Sequence, residues 1–230
     1  MGLAKWVTAA ALLLAQGLAQ SAEEARAPHL LVLVRHGHYV PDPNADPTLG
    51  PGLTALGVAQ ARLVGARLAG LPFKFDEVLA SPLTRAQETA RVVAEDLGDA
   101  PIVTEADLAE CTPPTRRTEI TAAMKPEDLT ACAAQIDRVY AKRFQPASGA
   151  EKRSLLVCHG NVIRYLITKT LGVDTKAWLE MSVGHASMTV IRIEADGTAK
   201  LISAGDVGHL SPNLLTGASG DPERTLAVPT

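Results

Sequence analysis

Apolar and polar positions fall into short continuous apolar runs separated by longer amphipathic stretches. Leu30 to Val34 is an unbroken run of Leu and Val between His29 and Arg35, the pattern of a strand buried on both faces. Ser154-Leu155-Leu156-Val157-Cys158 repeats it. Glu77-Val78-Leu79-Ala80-Ser81 and Pro101-Ile102-Val103-Thr104 are shorter runs of the same kind. Between them lie helical periods. Thr54 can cap a helix reaching about Ala69, with Leu56, Leu63, Val64 and Leu68 on its apolar face. A second helix runs from Pro82 to Leu97 and stops near Gly98. Pro126 fits the first position of a third, which reaches about Phe144 with Leu129, Ile136, Val139 and Tyr140 on one side. A fourth spans Asn161 to Leu171, and a short one surrounds Ala177-Trp178-Leu179. Met188 to Ile193 and Ala199 to Ile202 flank Asp196-Gly197, a hairpin pair. This alternation predicts an α/β fold, a three-layer sandwich whose mostly parallel central sheet carries helices on both faces.

The punctuation adds boundaries. Residues 20–28 are polar and Ala-rich and read as a tether. Pro41 to Gly52 is dense in Pro, Gly, Asn and Asp, a loop placed to wall a pocket at the end of the first strand. From about Ser211, Pro, Gly, Ser and Asp dominate, so a domain over 29–212 with a flexible tail over 213–230 is expected. At the amino terminus Lys5 precedes an apolar stretch from Val7 to Ala15, and Gly17-Leu18-Ala19 supplies small residues for a peptidase. Residues 1–19 therefore read as a cleaved secretory signal and the protein as exported, in a periplasm, with an uncleaved anchor as the alternative.

The chain has 230 residues, 47% hydrophobic and 20% charged, ordinary for one soluble domain. A net charge of −3 gives no footprint for nucleic acid, and no apolar run is long enough for a conventional membrane span. Three cysteines, an odd number without metal-ligand spacing, do not indicate a disulfide framework. Cys158 reads as a small buried hydrophobe. A Cys111–Cys132 bond is conceivable in an oxidising compartment. No metal or cofactor is expected, and a homodimer is left open.

Two apolar runs end in chemistry. The first stops at Arg35-His36-Gly37 and the second at His159-Gly160-Asn161. In open α/β sheets the carboxyl ends of strands face the ligand crevice. Arg85 falls in the first turn of a helix that follows a strand, which brings it to the same edge. Phosphoryl transfer needs positioned positive charge, an in-line nucleophile and a proton donor. A neutral His36 can attack phosphorus, with Arg35 and Arg85 clamping the equatorial oxygens. Their charge depresses the pKa of His36 and favours its nucleophilic form. His159, Gly160 and the helix start behind them offer N–H groups to an anion.

Arg35-His36-Gly37, Gly52-Leu53-Thr54 with Gly57, Gln60 and Ala61, Ser81-Pro82-Leu83-Thr84-Arg85-Ala86-Gln87-Glu88-Thr89, and Cys158-His159-Gly160-Asn161, in that order, resemble the histidine phosphatase superfamily, also called phosphoglycerate-mutase-like. The resemblance implies that His36 is the phosphorylated nucleophile, that Arg35, Arg85 and His159 bind the phosphate, and that a carboxylate donates the leaving-group proton. The family places that carboxylate in a Leu-x-Glu context, which Leu108-Ala109-Glu110 matches; Glu105 and Asp107 are alternatives. Asn161, Arg164 and His38 are candidate substrate contacts, and Arg116-Arg117 would give the mouth a basic character. Cys158 to Tyr165, Ala177-Trp178-Leu179 and Gly205-Asp206-Val207-Gly208 look most like the superfamily's mitochondrial serine/threonine protein phosphatases.

The expected function is therefore a metal-independent phosphomonoester hydrolase working through phosphohistidine, with phosphoproteins as one substrate class. The alternatives are a periplasmic phosphatase of small-molecule or envelope sugar phosphates, and a catalytically silent scaffold. A mutase is disfavoured by the short span between Glu110 and His159, which leaves little room for a substrate-enclosing insertion.

Overall fold

A computed structural model of the protein describes residues 25–217. The expected signal over 1–19 and most of the expected tail lie outside these residues. In chain order the elements are β1 (Arg26–Ala27), β2 (His29–Arg35), α1 (Ala55–Ala69), β3 (Glu77–Ala80), α2 (Thr84–Asp96), β4 (Ile102–Thr104), α3 (Thr118–Thr121), α4 (Pro126–Arg143), β5 (Ala147–Ser148), β6 (Lys152–Cys158), α5 (Gly160–Leu171), β7 (Met188–Ile193) and β8 (Ala199–Asp206). Three 3₁₀ turns, at Ala106–Leu108, Thr175–Glu180 and Pro212–Leu214, join them.

Six strands form one mixed sheet in the order β4-β3-β6-β2-β7-β8. The first four run parallel, β7 is antiparallel to β2, and β8 is antiparallel to β7. Successive side chains of a strand point to opposite faces, so β2 splits between two cores. Leu31 and Leu33 pack with Leu156, Ile163, Leu166, Ile136 and Trp178 on the face covered by α4 and α5. Val32 and Val34 pack with Val157, Val64, Ala90 and Val93 beneath α1 and α2. The unbroken apolar runs of β2 and β6 are explained by this double coverage. The helix after β2 lies on one face and the helix after β6 on the other, which opens a crevice between their carboxyl ends.

The helix ends follow their residues. Thr54 accepts the Gly57 N–H at 3.1 Å and caps α1. Pro126 starts α4, whose first turn carries Glu127 and Asp128 and whose last carries Lys142 and Arg143, matching the helix dipole. Gly172, at φ 65°, closes α5 in the left-handed conformation.

Several expectations are corrected. Leu63 is exposed, and α1 instead buries Gly57, Gln60, Ala61, Val64, Gly65 and Leu68. Small residues let it lie close to α2: an added Cβ on Gly65 would meet Val93 Cα at 3.3 Å. The tether over 20–28 is structured at Arg26 and Ala27, which pair with Ser148 and Ala147. The last strand extends four residues past Ile202, to Asp206. Within the expected tail, Leu214 O and Thr216 Oγ1 accept from Gln60 Nε2, and Gly217 O accepts from Arg35 Nη1. Among the described residues no helix is long and apolar enough to cross a membrane.

Candidate active site

β2 and β6 are parallel neighbours with Arg35 in register with Cys158. The residues that follow each strand therefore emerge together. His36 N donates to Cys158 O at 2.9 Å, and the rings of His36 and His159 stand 5.0 Å apart. Arg85, the second residue of α2, reaches the same point and donates from Nε to His36 Nε2 at 3.2 Å. Gly37 makes this turn possible, because a Cβ there would strike the Gly57 carbonyl at the start of α1.

His36 is 1% exposed. Its Nδ1 donates to Gly37 O at 2.8 Å, so the ring proton sits on Nδ1 and Nε2 holds the lone pair. Burial first, then the neighbouring His159, Arg35 and Arg85, hold its pKa well below the ordinary value. The imidazole is neutral, with the Nε2 lone pair facing Arg85. His159 is fully buried, with Nε2 2.7 Å from Ser81 Oγ, and burial together with Arg85 and Arg35 keeps it neutral too.

Glu110 follows the 3₁₀ turn after β4 and brings Oε2 to 3.4 Å from His159 Nδ1. Its side chain retains 26% exposure towards the cavity, while Oε1 is buried. Burial raises its pKa against the opposing pull of Arg35, Arg85 and Arg164. The two alternatives are removed. Glu105 is paired with Lys142 and Arg143, and Asp107 with Arg138, all on α4 and away from His36.

Arg35, His36, Arg85 and Glu110 line a cavity of about 250 Å³, closed by Tyr39, Asn161, Arg164 and Val183, with His159 buried behind its wall. Gly160 lets α5 begin close to Arg35, since an added Cβ would lie 3.3 Å from its Nε. Asn161 is a brace: its Nδ2 donates to Cys111 O at 3.0 Å and its Oδ1 accepts from Arg164 Nη2 at 2.6 Å, which ties the acid loop to α5. A Cys111–Cys132 disulfide fastens the same loop to α4. Cys158 is fully buried and its thiol pKa is raised by burial, so it is no nucleophile.

Two expectations fail in space. Arg116 and Arg117 are taken by Asp174 and Glu119 in exposed ion pairs and do not line the cavity. His38 has its Nδ1 2.8 Å from Thr54 Oγ1 and supports the α1 cap. Sequence reasoning missed Tyr39, whose ring lies under the Arg85 guanidinium at 4.7 Å, and His185, whose ring is 5.3 Å from that of His36. A cue for His185 existed: Gly184-His185-Ala186 immediately precedes an apolar run that can lie antiparallel to β2. No metal-ligand spacing is readable in the chain, yet the fold gathers ligand atoms of His36, Glu110 and His159 within 4.8 Å of one another. The guanidiniums of Arg35, Arg85 and Arg164 around them suit an anion better than a cation.

The neutral histidines carry a pH dependence. The ordinary histidine pKa is 6.5, and burial, then Arg35, lowers that of His185 to about 2. Below pH 6.5 the unfolded chain binds the proton and the native site does not, so this stability is present above pH 6.5 and lost as pH falls. From pH 7 to pH 5, His185 alone is expected to cost about 2 kcal/mol. His36 and His159 act in the same direction, and Glu110, held high, opposes them. Denaturant midpoints at the two pH values check this, and equal midpoints would contradict it.

The model of the histidine phosphatase superfamily (branch 1) matches residues 31–204. A serine/threonine-protein phosphatase Pgam5, mitochondrial, of Caenorhabditis elegans is 37% identical over 199 residues, 84% of this chain and 68% of that one. Its Xenopus tropicalis counterpart is 32% identical over 191 residues, 81% and 67% of the two chains. Among solved structures, a phosphoserine phosphatase of Entamoeba histolytica superposes with a TM-score of 0.59 at 21% identity, covering 80% of this chain and all of that one. A phosphoglycerate mutase of Plasmodium falciparum gives 0.56 at 24% identity, covering 80% and 95%. These two likenesses are of fold. The relatives overturn the expected periplasmic destination, because they are named as mitochondrial proteins.

Proposed function

The chain belongs to the histidine phosphatase superfamily and is a phosphatase, and from that premise we propose that it hydrolyses serine and threonine phosphoesters of proteins through a phosphohistidine on His36. The observation that carries the mechanism is a set of unmet polar atoms beside His36: Arg35 Nε, Glu110 Oε1 and His159 Nδ1 are buried without hydrogen-bond partners, Arg35 and Glu110 share the cavity wall with His36, and ligand atoms of His36, Glu110 and His159 lie within 4.8 Å of one another. Unpaired buried polar atoms are costly, and three gathered at one cationic cavity fit a phosphoryl group that satisfies them.

In this reading Nε2 attacks phosphorus while Arg35, Arg85 and His159 take the equatorial oxygens. Protonated Glu110 passes its proton to the departing alkoxide. As carboxylate it then takes a proton from the water that attacks the phosphohistidine, which frees His36 and inorganic phosphate. Burial favours the protonated acid that the first step needs. The substrate class rests on the two relatives' names and on their extent of match. We take the catalytic unit as 29–212, extended to Gly217 by its contacts with Arg35 and His185.

Phosphate release by the full chain from phosphoserine and phosphothreonine peptides tests this, run beside small sugar phosphates and a mutase assay, each with and without EDTA. Release from the peptides that EDTA leaves unchanged is expected. Turnover confined to sugar phosphates would overturn the substrate class, and EDTA-sensitive turnover would overturn the metal-independent mechanism.

A further inference from the structure

Arg35 is held from behind by parts of the chain far away in sequence. Its Nη1 donates to the carbonyl oxygens of Val183 and Gly217, each at 2.6 Å. Its Nη2 lies 3.1 Å from His185 Nε2. Of its three nitrogens, Nε is the one left without a partner beside the cavity.

An arginine only donates, so His185 Nε2 accepts and Nδ1 carries the ring proton. That proton has an acceptor, Thr216 Oγ1 at 2.9 Å, which also takes Gln60 Nε2 at 2.8 Å. The backbone repeats the link, with His185 N donating to Thr216 O at 3.0 Å. Gly217 then passes beneath the imidazole at φ +69°, where a Cβ would lie 2.5 Å from the ring. The His185 tautomer is thus fixed by the Thr216 hydroxyl, and the Arg35 edge by His185 and two carbonyls.

Resting on the phosphatase reading above, we propose that His185, set by Thr216 and Gly217, is a positioning residue that holds the Arg35 guanidinium with its Nε edge towards the substrate phosphoryl group. An arginine side chain otherwise carries large rotamer freedom. In its carboxylate form Glu110 attracts Arg35, so a guanidinium released from this seat can swing onto the acid and spoil both phosphate binding and proton donation.

Orthovanadate binding to the full chain by calorimetry, with steady-state kinetics on p-nitrophenyl phosphate, tests the proposal. A hydrogen bond to a charged group is worth roughly 10- to 100-fold in affinity, so His185→Leu is expected to weaken orthovanadate and raise KM by about that factor, with kcat falling less. His185→Gln, whose amide oxygen can accept from Arg35, should recover most of the loss. Thr216→Val keeps the imidazole and removes its anchor, so it should shift both constants in the same direction by a smaller factor and serves if the leucine variant does not fold. Orthovanadate affinity unchanged in a folded His185→Leu or Thr216→Val protein would overturn the proposal, as would a glutamine variant as weak as the leucine one. Wild type that neither binds orthovanadate nor turns over p-nitrophenyl phosphate would sink the phosphatase reading instead.

Discussion

His36→Ala is expected to lower turnover by more than about a thousandfold on every phosphomonoester, since the loss of a nucleophile leaves only binding and electrostatic stabilisation. The fold should survive. His36 makes one side-chain hydrogen bond to its own loop and accepts one from Arg85, so its removal costs about 1–3 kcal/mol, a usual range for a buried polar site. The cavity's cations remain, and orthovanadate or phosphate should still bind. Circular dichroism, orthovanadate affinity and initial rates together separate a dead but folded enzyme from an unfolded one. A His36→Ala protein that keeps more than about a tenth of wild-type rate would show that water attacks the substrate directly, with no covalent step.

Glu110→Gln should divide substrates by leaving group. An alkoxide from serine needs a proton as it departs, and positioned proton donation contributes about 100- to 10,000-fold. p-Nitrophenolate leaves without that help. The variant is therefore expected to lose most of its rate on a phosphoserine peptide and far less on p-nitrophenyl phosphate, where breakdown of the phosphohistidine becomes limiting. The pH profile supplies a second arm. Burial raises the Glu110 pKa, so on phosphoserine the wild-type rate should fall as pH rises through that value and the acid ionises, and this limb should vanish in Glu110→Gln. Equal small losses on both substrates would move the proton donor elsewhere, although Glu105 and Asp107 are occupied by α4 cations.

What the chain made legible was what lies near in sequence or follows from register. Two apolar runs ending in Arg35-His36-Gly37 and Cys158-His159-Gly160 predict parallel strands, and parallel pairing then places both imidazoles together without further information. Arg85 was readable because the first turn of a helix after a strand returns to the strand's carboxyl end. Caps at Thr54 and Pro126 and the stop at Gly172 fixed helix ends locally.

The misreadings share a cause. Arg116 and Arg117 looked like a basic mouth because a linear reading does not show Asp174 and Glu119 meeting them. Leu63 reads inward by apolarity, whereas α1 is pressed against α2 at Gly65. The composition after Ser211 reads as tail, but Thr216 and Gly217 are held by His185, Gln60 and Arg35, partners between 31 and 182 residues away. No composition window carries such contacts. The Cys111–Cys132 bond, conceivable but not fixed by spacing, is formed.

The central claim is a covalent bond between phosphorus and His36 Nε2, and rapid chemical quench with ³²P-labelled substrate tests it most directly. Within the first turnover, denatured wild-type protein should carry label that is stable in alkali, released by acid and located by mass spectrometry on the peptide containing His36, and the label should be absent from His36→Ala. Label on Cys158 or on a serine, or full turnover with no label on the protein, would contradict the account.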